Sequence, residues 1–173
     1  MSIHLIVDGY NLIRQSDRLS ILDQHDLQSG RDALIELLAK YKKIKHHKIT
    51  IVFDGINAPS IIPSRDYISG IRIKFSNMGE SADTVIKRMA AREREKAVIV
   101  SSDRDIIDSV VSSGAATIHS PLFEKKMVMA EYMDMKGMVE EDNSGWIPTT
   151  KKKGPSRRLS KKERHSWKKI RKL

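Results

Sequence analysis

The chain has 173 residues, 39% of them hydrophobic, enough for one domain with a real core plus a short appendage, and it contains no cysteine. Disulfide and thiolate chemistry are therefore excluded. No apolar stretch approaches ~18 residues and no signal-peptide layout opens the chain, so a soluble cytoplasmic protein with no membrane partner is expected.

The net charge of +10 is concentrated at one end. Residues 151–173 hold 12 Lys or Arg and one acid, whereas residues 1–150 hold 20 basic and 21 acidic side chains. Such a tail suits a polyanion, because Lys and Arg that neutralise phosphates release counterions.

In chain order, Ile3 to Val7 predicts a first strand that stops at Asp8-Gly9-Tyr10-Asn11. Leu27, Ala33, Leu34, Leu37, Leu38, Tyr41 and Ile44 recur at helical spacing, predicting a helix from Leu27 to Lys45. Lys48 to Phe53 predicts a second strand, ending at Asp54-Gly55, and the Pro-containing segment 57–64 is irregular. Gly70 to Phe75 alternates apolar and basic residues, as an edge strand would with Arg72 and Lys74 on its outer face. After Gly79-Glu80-Ser81-Ala82-Asp83-Thr84 a helix starts near Ser81. Ala97 to Ser101 predicts a strand, Asp103 to Ser113 a helix closed by Gly114, and Ala115 to His119 a last strand. Pro121 to about Met135 reads as a helix with Met127, Met129, Met133 and Met135 as core filler. A linker follows, and Ser160-Lys161-Lys162-Glu163 fits a capping box opening a basic helix to about Lys172.

Strands alternating with helices argue for a three-layer α/β/α fold with a central, mostly parallel sheet, occupying residues 1–143, with residues 144–173 as linker and basic C-terminal tail. In such a sheet the strand ends that carry Asp8, Asp54, Asp103 and Asp105 share one edge. Clustered carboxylates without cysteine or suitably spaced histidines suit Mg²⁺ or Mn²⁺.

Asp8 and Asp103 are the strongest metal candidates, and Asp83 joins them because its helix starts at the same edge. Asn11 can orient a ligand through its amide. Ser102 and Asp105 have the form of a capping box, which gives Asp105 a structural explanation and leaves Asp103 without one. Asp54, Glu80, Asp108 and His119 are weaker candidates, each equally at home as a turn or surface residue.

Residues 6–13, 52–55, 79–84 and 100–105 together resemble the YacP-like branch of the NYN domain family, relatives of the PIN-domain nucleases. The resemblance implies a PIN-like fold, divalent metal held by Asp8, Asp83 and Asp103, and endoribonuclease activity on structured or ribosome-associated RNA, in mRNA decay or in rRNA or tRNA processing. Asn11, Ser101, Ser102 and Asp105 would support that catalytic centre. Many PIN nucleases place a further acid after the last strand, where this chain has His119-Ser120, so a non-catalytic RNA-binding module is the alternative. RNA contacts are expected from Arg72, Lys74, Arg104, Lys151, Lys152, Lys153, Arg157, Arg158, Lys161, Lys162, Lys168 and Lys169, with Trp167 able to stack on a base or pack its helix on the body.

Overall fold

A computed structural model describes residues 3–55, 67–137 and 160–173. The RNA contacts expected of Lys151, Lys152, Lys153, Arg157, Arg158 and the Lys162 side chain, and the irregular segment expected at 57–64, lie outside the described residues.

The apolar runs pair into a six-stranded sheet. Its strands are β1 (His4–Asp8), β2 (Lys48–Phe53), β3 (Tyr67–Ile68), β4 (Ile71–Phe75), β5 (Ala97–Val100) and β6 (Ala116–Ile118), in the order β3-β4-β2-β1-β5-β6. Every pairing is parallel except β3 with β4. The two-residue β3 caps β4, so β4 is not the edge that its alternation predicts. Arg72 and Lys74 are accordingly half-buried, and Arg72 Nε is buried without a hydrogen-bond partner among the described residues.

The central β1 is buried along its whole length and sends alternate side chains into two cores. Leu5 and Val7 join Ile49, Ile51, Phe53, Val98 and Val100 under the helices α1 (Gly9–Gln15), α2 (Asp17–His25), α3 (Leu27–Lys45) and α6 (Ser120–Met135). Ile6 joins Val52 and Ile99 under α4 (Ala82–Glu93) and α5 (Arg104–Ser112), through Val85, Ile86, Ala90, Ile106 and Val110. This is the expected three-layer arrangement. Two short helices, α1 and α2, replace the stretch where no element was expected, because each holds too few apolar positions to display a period.

The methionines of α6 divide. Met127 is buried against Phe123 and Ala130, whereas Met129 and Met135 are exposed, Met135 at 82%, so only part of that set fills the core. The helical end of the tail, α7 (Lys161–Arg171), does have its capping box, with Ser160 and Glu163 bonding reciprocally. It packs beside β6. Leu173 is 2% exposed, Ile170 packs against the core, and the Tyr41 hydroxyl donates to the Leu173 backbone oxygen at 2.8 Å. No helix among the described residues is long and apolar enough to cross a membrane.

Candidate active site

Parallel strands direct their C-terminal ends to one edge, and there the helices α1, α4, α5 and α6 all begin. Their positive ends converge on one small region, which favours anions. Asp8 is the N-cap of α1, accepting from the Asn11 amide at 3.3 Å, and Asp103 is the N-cap of α5, accepting from the Asp105 amide at 2.8 Å. Asp83 lies in the first turn of α4, one residue beyond Ala82. The Ser102–Asp105 capping box is therefore replaced by an Asp103 cap. Ser102 Oγ instead accepts from the Ser120 amide at 3.2 Å.

Two glycines let the strands end this tightly. A side chain on Gly9 would come within 2.3 Å of the Phe53 ring, and one on Gly55 within 2.0 Å of the Ser76 carbonyl oxygen. The repeated Asp-Gly pairs thus place an acid at the edge and let a neighbouring segment close against it.

A hydrogen-bond web ties the acids together across the chain. Ser101 Oγ donates to Asp8 Oδ2 at 3.0 Å and accepts from the Asp103 amide at 3.1 Å. Asn11 Oδ1 accepts from the Ser102 amide at 2.9 Å and from Ser120 Oγ at 2.8 Å. The Asn11 carbonyl is thereby committed to fastening the β5 and β6 ends, which leaves its amide group for a ligand.

Asp8 is 8% exposed, and burial pushes its carboxyl up to about 6 against the opposing hydrogen bonds from Ser101 and Asn11. The charges of Asp83 and Asp103 add to the rise. The Asp83 carboxyl is also raised, by partial burial first and then by Asp103, with Asp105 and Asp54 contributing. These groups crowd one another with negative charge.

They share a cleft of about 340 Å³ in which Asp8, Asp54, Asp83 and Asp103 supply the carboxylates and Asn11 an amide. Tyr10, Arg14 and Gln15 form the α1 side of that cleft. Oxygen donors that repel one another fit a hard divalent cation, yet no trio of His, Asp or Glu side chains among the described residues is already disposed to hold one ion. Side-chain rotation of Asp83 and Asp103 would have to complete a ligand set.

Other candidates are placed elsewhere. Asp105 is exposed and pairs with Lys87, Glu80 pairs with Arg88, and neither lines the cleft. Asp108 lies on the exposed side of α5, and His119 is the N-cap of α6 without a side-chain capping bond. Arg104 is exposed at the start of α5. Lys161, Lys168 and Trp167 are exposed on α7, and Lys169 is half-buried, its ammonium pKa lowered by burial. All four lie at the opposite sheet edge. Grooves there bring α7 against Ile3, Lys96 and Gly114, which precede β1, β5 and β6.

Sequence reading missed Tyr10, Arg14, Gln15 and Ser120. Tyr10 and Arg14 are four residues apart and share a helix face, a signal hidden while α1 went unrecognised.

A model of the YacP-like NYN domain matches residues 5–172. The chain belongs to the YacP-like NYN domain family. The Uncharacterized protein YacP of Bacillus subtilis (strain 168) is 28% identical over 86 residues, half of this chain and half of that protein. Among solved structures, Rae1 (YacP) from Bacillus subtilis superimposes with a TM-score of 0.68 at 23% identity, covering 79% of each chain. A single-residue variant of Rae1 superimposes with a TM-score of 0.67 at 21% identity, covering 78% of this chain and 80% of that one. At that identity the likeness establishes the fold alone, which is PIN-like.

Proposed function

We propose that this chain is a divalent-metal-dependent endoribonuclease that hydrolyses RNA phosphodiester bonds in the cytoplasm, in mRNA decay or in rRNA or tRNA processing near the ribosome. The observation that carries the reading is the cleft shared by Asp8, Asp83 and Asp103, in which burial and the neighbouring carboxylates raise the pKa of Asp8 and of Asp83. Asp8, Asp83 and Asp103 would hold Mg²⁺ or Mn²⁺, which when bound supplies charge compensation and a lowered water pKa for in-line displacement at phosphorus. Ser101 Oγ and the Asn11 backbone N–H hold Asp8 in one orientation, and the α1, α4 and α5 N-termini add a field that favours the phosphate anion. The Asn11 side-chain NH2 (Nδ2), having no partner among the described residues, is placed to donate to a phosphate oxygen or the attacking water. The tail lysines and Trp167 would hold RNA backbone and base on the far edge.

A non-catalytic RNA-binding module is the second reading, favoured by the incomplete ligand trio and by His119-Ser120 after β6. End-labelled RNA incubated with the full chain under Mg²⁺, Mn²⁺ or EDTA separates the two. Internal cleavage that requires metal supports the nuclease. RNA binding with no cleavage under any metal sinks it in favour of the module.

A further inference from the structure

Among the described residues, Arg14 is the one basic side chain that lines the acidic cleft. It makes no ion pair among the described residues, although four aspartates line the same cavity. Its guanidinium instead rests over the Tyr10 ring, 5.6 Å from the centroid.

That ring is held on two sides. The Tyr10 hydroxyl accepts from Arg31 Nε at 2.9 Å, Arg31 being 4% exposed, and the ring meets Phe53 edge-on with centroids 5.1 Å apart. A fixed aromatic surface reduces the rotamer freedom that Arg14 would lose on binding. Lys87 of α4, whose charge reaches Asp83 from outside that lining, is already engaged by Asp105. The described lining of the cleft therefore joins an acidic centre to one guanidinium that has no hydrogen-bond or ion-pair partner among the described residues.

We propose that Arg14 is the phosphate-binding residue of the cleft, gripping a backbone phosphate next to the scissile one as the RNA strand enters over α1. The inference rests on the nuclease reading for its substrate. Its physical basis is that a polyanion is repelled by clustered carboxylates unless a cation at their border meets it first. The planar guanidinium can offer two parallel N–H donors to one phosphate. Gln15, beside it on the wall, presents an amide to the same strand.

The test uses the full chain with Arg14→Ala and Arg14→Gln. Arg18→Ala is the control, since Arg18 is exposed on α2 and does not line the cleft. Binding of a fluorescent single-stranded RNA is followed in EDTA at several salt concentrations, so that it is read without cleavage. Both Arg14 variants should weaken binding about ten- to a hundredfold, the range for charge-assisted hydrogen bonds, and reduce the salt slope by roughly 0.7. In Mn²⁺ their KM for RNA should rise with kcat nearly kept, while Mn²⁺ affinity stays equal or tightens. If both bind RNA like Arg18→Ala, or if they lose Mn²⁺ affinity and thermal stability together, Arg14 is structural and the inference falls. A wild type that never cleaves would defeat the nuclease reading alone, because the EDTA binding still decides the role of Arg14.

Discussion

The two edges of the sheet are built on opposite principles. At the C-terminal edge, carboxylates sit at helix N-termini and inside a hydrogen-bond web, and Asp8 is nearly buried, so charge is held in place at the expense of stability. At the N-terminal edge, the charges of α7 stay largely in solvent while Ile170, Leu173 and the Tyr41 hydroxyl fasten the helix. Trp167 remains 58% exposed there. One edge concentrates charge at fixed positions, and the other spreads it into solvent. Strands of about five residues at ~3.3 Å each separate them by roughly 17 Å. Acid-edge substitutions should therefore alter chemistry and basic-edge substitutions affinity.

The largest expected effect is from Asp103→Asn, which keeps the side-chain size and one capping oxygen but removes the charge. Metal-dependent cleavage should fall by orders of magnitude with the circular dichroism spectrum unchanged. Full activity in a single-turnover assay would assign Asp103 to capping alone.

Asp8→Asn should lose cleavage too, yet gain stability. Because the folded carboxyl titrates at about 6 rather than 3.8, the native state binds more protons than the unfolded chain between those values. Stability from this group is present below pH 3.8 and lost as pH rises through about 6. In metal-free buffer at pH 7 the variant should be more stable by up to about 3 kcal/mol, the equivalent of that displacement. His4 acts in the other direction. Its pKa is lowered by burial and by Lys48, so the unfolded chain binds more protons and stability falls as pH drops below 6.5. Urea melts of wild type and Asp8→Asn from pH 4 to 8 should differ in slope, the variant retaining the His4 decline. Parallel curves would contradict the burial assigned to Asp8.

Deleting residues 160–173 probes the fastening of the basic edge. Loss of the buried Leu173 and the Tyr41 contact should cost roughly 2 kcal/mol, visible as a lower melting temperature, without moving the acid cleft. An unchanged melting temperature would make α7 a loosely held appendage.

The smallest effect should come from Lys161→Ala with Lys168→Ala. Stability should stay within about 0.5 kcal/mol, while the slope of log affinity for RNA against log salt flattens by roughly 1.4, for two phosphate contacts at ~0.7 each. An unaltered slope would remove α7 from the RNA surface.

The sheet was legible because each core strand is a continuous apolar run ended by Asp or Ser, a pattern with few alternatives. The edge shared by Asp8, Asp83 and Asp103 was legible for the same reason, since parallel topology alone brings those ends together. What stayed hidden depended on elements too short to show a period. With α1 unseen, Arg14 had no visible relation to Tyr10 or to the cleft. The role of Asn11 was hidden too, because its partners Ser102 and Ser120 are set by tertiary closure rather than by local pattern. The burial of Leu173 against Tyr41 likewise has no local signal. A run of lysines around one Leu reads as solvated until the surface it meets is known.

The Asn11 carbonyl bridges positions 91 and 109 residues further along the chain. Those contacts carry a large loop-closure entropy and form only once both distant segments are in place. During synthesis, a chain that has emerged only as far as β5 has Asp8, Asp83 and the strand and helix that carry them, but not the Ser120 anchor. The cleft is therefore completed late, after most of the sheet exists, so its acids are locked in place only when nearly all of the fold has left the ribosome that made it.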